Sequence, residues 1–135
     1  MEWTETTFYV RYAETDAMAV VHHSVYIVWF EEGRSHTLRS RGSNYADLEA
    51  AGYDLAVSEV EARYIAPARY GQQVTIRTGV ESVRSRAISM VYEVVEAASG
   101  RLLVTGRTKH ICINQQGQVV TIPEAWRRRL AGQGE

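Results

Sequence analysis

The sequence predicts an α+β fold: one antiparallel sheet wrapped around a single long helix, with a short helix near the C-terminal end. Three observations predict it. Bulky residues between Tyr26 and Leu38 recur at three- and four-residue steps, as on one face of a helix. From Tyr53 to Ile113 the chain instead alternates apolar and polar residues, the two-residue period of strands. The order is one strand, one long helix, then four or five strands, so a single helix must cover the apolar side of the sheet.

Trp3 to Tyr12 reads as the first strand, with Phe8 and Val10 on one face and Tyr9 and Arg11 on the other. A loop, Ala13 to His23, follows. Ser24 is a preferred N-cap residue, so the long helix is expected to begin at Ser24 or Val25. Its inward face is Tyr26, Trp29, Phe30 and Gly33; Glu31, Arg34 and Arg39 are expected outward, with Glu31 and Arg34 spaced for an ion pair. Gly33 costs about 1 kcal/mol relative to Ala inside a helix, which predicts a close backbone neighbour there. Gly42 is a natural stop, and a short second helix fits Asn44 to Ala51, capped by Ser43 or Asn44 and ended by Gly52.

Strand patterning then takes over from Tyr53. Pro67 is expected to interrupt it or mark a bulge. Val74, Ile76, Thr78 and Val80 share one strand face, and Ile88, Met90, Tyr92 and Val94 another. Ser99-Gly100 marks a turn before a strand from Leu102 to Ile113; Gln116-Gly117 marks a turn before a short strand at Val119 to Thr121. Pro123 suits the start of a C-terminal helix with Glu124 in its first turn and Arg127 to Arg129 in its last.

The 135 residues suffice for one domain, 1–135, with a real core. A formal charge of −1 argues against non-specific nucleic-acid binding. No apolar run approaches the roughly 18 residues of a membrane span, and the acidic start MEWTETTF has no signal-like apolar stretch. The one cysteine, Cys112, sits in an apolar run and reads as a buried core residue; without an internal disulfide, a cytoplasmic location is expected.

The seam between strand and helix holds the chemistry. Asp16, His22 and His23 lie just before the helix start, where exposed N–H groups can polarise a carbonyl oxygen while a carboxylate works on its carbon. Tyr12, Thr15-Asp16, Val21, His23, Tyr26, Trp29-Phe30-Glu31 and Arg34 share one register. That register resembles the active-site motif of the hotdog-fold acyl-CoA thioesterases, in particular the 4-hydroxybenzoyl-CoA thioesterase and YbgC-like branch. The segment Tyr64-Ile65-Ala66-Pro67-Ala68-Arg69-Tyr70-Gly71 is similar to that family's Pro-Ala-Arg segment. The chain departs from the pattern at Ala19, where the family has Gly, at Met18, often Gly in the YbgC-like branch, and at Val25, where the family has Asn.

The resemblance implies a hotdog fold, Asp16 as nucleophile or general base, and the backbone N–H at His23 as the group that polarises the thioester carbonyl. Asp16 alone would read as a turn residue; the surrounding motif assigns it to catalysis. The His23 side chain could orient the loop or contact substrate. Tyr26 is expected as pocket wall or core. Met18, Val20, Val25 and the stretch Tyr53 to Ser58 are expected to line an acyl pocket. Arg69, Arg84 and Arg86 are candidates for the CoA phosphates. No metal and no cofactor are expected, CoA being part of the substrate. The implied assembly is a homodimer or a dimer-of-dimers tetramer with sites at subunit boundaries. An acyl carrier protein could replace CoA as thiol carrier, and a non-catalytic acyl-CoA sensor or a dehydratase could use the same fold. Aromatic and short-to-medium aliphatic acyl groups both fit.

Overall fold

The structure is a computed structural model that describes residues 1–132. Strand β1 (Trp3–Tyr9) leads through one 3-10 turn (Tyr12–Glu14) to helix α1 (Val25–Ser40) and helix α2 (Tyr45–Ala50). Four strands follow: β2 (Tyr53–Tyr64), β3 (Gln73–Val83), β4 (Ala87–Glu96) and β5 (Leu102–Asn114); helix α3 (Glu124–Leu130) comes last. The five strands form one sheet in the order β1-β3-β4-β5-β2, every neighbouring pair antiparallel. Helix α1 packs across β1, β3 and β4. No helix among the described residues is long and apolar enough to cross a membrane.

The helix period and the strand alternation meet in the core. Tyr26, Trp29 and Phe30 of α1 are buried, as are Val74 and Ile76 of β3 and Ile88, Met90, Tyr92 and Val94 of β4. Cys112 is fully buried too, and burial pushes its thiol above the usual value. Phe30 stacks on Tyr92 with ring centroids 4.4 Å apart and 11° between planes. That stack needs Gly106 on β5: a Cβ there would lie 2.2 Å from the Phe30 ring. Phe30 is fully buried and has nowhere to retreat. Gly106→Ala is therefore expected to cost about 2–3 kcal/mol by overpacking, read as a fall of about 10 °C in melting temperature.

Gly33 faces side chains where backbone was expected. A Cβ at Gly33 would stand 2.3 Å from Thr78 Oγ1 and 3.1 Å from Ile76 Cγ2, so the missing side chain lets α1 settle onto β3.

Several local expectations are corrected. β1 ends at Tyr9 and not at Tyr12: Val10 still donates its N–H to Gln72 O at 2.8 Å, in line with the β1–β3 pairing, and the chain then turns into the 3-10 segment Tyr12–Glu14. Arg34 points inward: it is 8% exposed and donates to Tyr92 Oη at 3.3 Å, so it forms no ion pair with Glu31. The bulge in β2 lies between Val57 and Glu59, before Pro67, which follows the strand. The short strand at Val119 to Thr121 is a single bridge between Ile113 and Val119. Asn44 caps α2 as expected, its Oδ1 accepting from Asp47 N–H at 2.8 Å.

Candidate active site

The loop from Arg11 to Ser24 is held at both ends before it reaches α1. Its anchor is Glu14, a buried carboxylate. Glu14 Oε1 accepts the Arg11 N–H at 2.8 Å; Oε2 accepts the Arg11 guanidinium and Trp29 Nε1–H, each at 2.8 Å. Burial pushes this carboxyl up, but the bonds from Arg11 and Trp29 outweigh burial and hold it below the usual carboxylate value. Trp29 belongs to α1, so Glu14 ties the loop to the helix it precedes. The Glu14 carbonyl also accepts the His22 N–H at 2.9 Å.

Between these ties a small hairpin carries Asp16. Thr15 bridges to Val21, Asp16 N–H donates to Val20 O at 2.9 Å, and Ala19 N–H donates to Asp16 O at 3.0 Å. The turn places Ala19 at φ +64, a left-handed conformation that Gly adopts without strain. Ala19→Gly is expected to relieve about 1 kcal/mol of that strain, partly offset by the looser unfolded chain; a melting curve reads the net gain.

Asp16 Oδ1 accepts the Met18 N–H at 2.8 Å. Oδ2 has no partner among the described residues. Asp16 lines a cleft of about 300 Å³ together with Val20, Val21, His23 and Tyr26 on one side and Tyr64, Ile65, Ala66 and Pro67 on the other. The two walls are joined. Val21 N–H donates to Ala68 O at 2.9 Å, Val20 bridges to Arg69, and Ala68 N–H donates to Tyr26 Oη at 3.0 Å. A larger groove of about 430 Å³ lies between β1 and the flank of α1, lined by Phe8, Arg11, Val28 and Glu32 among others, and does not include Asp16.

The start of α1 differs from the expected cap. Ser24 takes helical angles and its side chain caps nothing in the backbone; Ser24 Oγ bonds His22 Nδ1 at 2.8 Å. The first turn closes with three-residue bonds, Val25 N–H to His22 O at 3.0 Å and Ile27 N–H to Ser24 O at 3.2 Å. The His23 N–H has no acceptor among the described residues. An open donor at a helix start, beside a carboxylate and a cleft, can stabilise negative charge on a bound oxygen.

The expected site residues divide into groups. Asp16, His23 and Tyr26 line one cleft; Tyr26 is also core, 2% exposed, and burial pushes its phenol above the usual value. Arg69 is exposed on the strip that borders the cleft. Val25 packs on the core outside the cleft lining, and Met18 points to solvent at 78% exposure. Of the expected acyl wall, Val20 lines the cleft. Tyr53 to Ser58 does not, because that end of β2 pairs with the far end of β5 around Cys112. Arg84 and Arg86 sit in the β3–β4 turn, beyond the 11 residues of β3 from the cleft, a strand of about 35 Å at ordinary rise. One chain does not bring them to Asp16.

Two residues of the site carry roles that the sequence reading missed. Glu14 anchors the loop, and its signal was the Arg11-to-Glu14 spacing of a reciprocal cap. Tyr64 donates its hydroxyl to His23 O at 2.9 Å; it opens the Pro-Ala-Arg segment, but nothing local marks its bond.

The chain is similar to known proteins in sequence and in fold. The family model of the thioesterase-like superfamily matches residues 10–130. The putative acyl-CoA thioesterase YneP of Bacillus subtilis (strain 168) is 33% identical over 107 residues, 79% of this chain and 77% of that protein. The crystal structure of a hypothetical protein, TT1821 from Thermus thermophilus, superimposes with a TM-score of 0.91 at 40% identity, covering 99% of each chain. A DHNA-CoA thioesterase from Staphylococcus aureus superimposes with a TM-score of 0.89 at 30% identity, covering 98% of this chain and 91% of that one. With the family model matching most of its length and its fold superimposing on solved structures over nearly the whole chain, the chain belongs to the thioesterase-like superfamily and has its hotdog fold.

Proposed function

We propose that this protein hydrolyses an acyl-CoA thioester to the free carboxylate and CoA. The observation that carries the reading is that Asp16 and His23 line one cleft at the start of α1, where the His23 N–H meets no acceptor among the described residues. In the proposed reaction the thioester carbonyl oxygen takes the His23 N–H while Asp16 serves the carbonyl carbon. Asp16 either attacks it, giving an acyl-enzyme anhydride that water opens, or deprotonates the attacking water. The C–S bond breaks and CoA leaves as thiolate, a good leaving group that needs no strong acid beside it. The reaction draws on no metal or further cofactor. The names of YneP and of the Staphylococcus aureus structure support CoA as the thiol carrier.

The site is read as complete only in a homodimer or a dimer-of-dimers tetramer. β2 is an outer strand of the sheet, and Val57, Val60, Tyr64 and Ile65 are exposed on it or just past it. A second copy against β2 would cover these residues and close the cleft at Tyr64 and Ile65. Arg84 and Arg86 could then meet CoA phosphates only across subunits, with Arg69 acting from the same chain. The one thiol, Cys112, is buried in the core and fits a cytoplasmic setting.

The test is release of free thiol from a panel of aromatic and aliphatic acyl-CoAs. Turnover of at least one member is expected. Tight binding of acyl-CoAs without thiol release from any of them would reject the hydrolase and leave a sensor.

A further inference from the structure

We propose that Tyr64 is a positioning residue for the polarising N–H of His23; this rests on the hydrolase reading above. Two peptide planes meet at the His23 Cα, and each needs an anchor if the N–H is to keep one direction. The first plane carries the His23 N–H together with the His22 carbonyl, which accepts the Val25 N–H at 3.0 Å. The second carries the His23 carbonyl. In a regular helix the Ile27 N–H would take that oxygen, but Ile27 donates to Ser24 O at 3.2 Å instead. The His23 carbonyl is thus left outside the helical ladder, and Tyr64 Oη–H supplies its bond at 2.9 Å. The Ser24 N–H in that plane bonds His22 Nδ1 at 3.2 Å, within the same loop, so Tyr64 is what ties this plane to the sheet.

Tyr64 is built to hold still. It is the last residue of β2, in register with Val104 of β5. The two residues after it, Ile65 and Ala66, donate their N–H groups to Leu103 O at 2.9 and 3.1 Å. Its ring meets the buried Tyr26 edge-on at 5.5 Å between centroids, and Tyr26 in turn holds the Ala68 N–H. The hydroxyl therefore projects from a strand end pinned to the sheet, and what it pins is a loop. A preorganised donor loses value when it must be reoriented during the reaction, because that cost enters the barrier.

Tyr64→Phe tests this directly. It keeps the ring packed on Tyr26 and removes only the hydroxyl. The expected result is a kcat about tenfold lower on the best acyl-CoA of the panel, with KM within twofold and melting temperature unchanged within about 2 °C. Amide hydrogen exchange at Ser24 and Val25, whose N–H groups bond His22 Nδ1 and His22 O, is expected to speed up in the same variant, while exchange in β5 is unchanged. A kcat within twofold of the parent overturns the proposal. So does a kcat loss accompanied by an equal rise in KM, which would make Tyr64 a substrate contact. If the parent chain itself releases no thiol, the hydrolase reading fails first and takes this inference with it. An active parent with a fully active Phe variant removes Tyr64 alone.

Discussion

Replacing Asp16 by Asn is expected to lower kcat for thiol release by about a thousandfold or more, with acyl-CoA binding nearly unchanged. General-base assistance by a carboxylate is worth about a hundred- to ten-thousandfold, and loss of a covalent nucleophile falls at or above the upper end of that range. Asn is the informative change because of what Asp16 does for the loop. Its Oδ1 accepts the Met18 N–H, and an Asn side-chain oxygen can accept the same bond. The turn that places Ala19 at positive φ should then survive, and lost activity reads as lost chemistry. Unchanged melting temperature and unchanged Kd for a non-hydrolysable acyl-CoA analogue check that point. Mass spectrometry of rapidly quenched single turnovers separates the two roles: an acylated chain marks Asp16 as nucleophile. An Asn variant that keeps more than about a tenth of the parent rate would remove Asp16 from the reaction.

Acid is expected to destabilise the fold across a window set by His110. This residue on β5 is 2% exposed, and its Nε2 lies 2.8 Å from Thr108 Oγ1. Burial first, and then the nearby Arg34 charge, push its pKa from 6.5 to about 4. The hydrogen-bonded run continues from Thr108 to Tyr92 Oη at 2.6 Å and on to Arg34, so a second positive charge would be placed beside one that is already buried. The sign follows from linkage. Above pH 6.5 the imidazole is neutral in both folded and unfolded chains, and the full stability is present. As pH falls from there, the unfolded chain takes up a proton that the folded chain refuses, and stability drops until about pH 4. The gap corresponds to about 3 kcal/mol at most. Urea unfolding at stepped pH between 7 and 4 measures it. His110→Gln is expected to flatten much of the slope above pH 5, since the titrating group is gone. The Glu14 carboxyl, held below its usual value, contributes in the same direction and acts lower, with loss as pH falls through its depressed pKa. A slope unchanged by His110→Gln would show that the imidazole is not the group that responds.

Much of the architecture could be read from residue spacing. The three- and four-residue steps from Tyr26 to Leu38 and the alternation in β3 and β4 report which side of each element meets the core. The motif spacing from Tyr12 to Arg34 corresponds to a hairpin, a helix start and the helix face behind it, so Asp16, His23 and Tyr26 are local to one another. Arg34 was misread for the opposite reason. A guanidinium on a helix normally seeks water, and its acceptor, Tyr92, lies 58 residues further along the chain. Glu14 was passed over because a carboxylate in a polar loop looks solvated until Trp29 Nε1–H is seen to bond it.

Local pattern by itself determined the α+β class, the loop that carries Asp16 and the point near Val25 where α1 begins. The family resemblance named the His23 N–H as the polarising donor; tertiary structure alone decided what holds it in place and how far Arg84 and Arg86 stand from it. The reason is physical. Periodicity records which face of an element is dry, a property each segment carries in its own residues. The bond from Tyr64 to His23 O spans 41 residues and exists only because the pairing of β2 with β5 sets where the end of β2 lies.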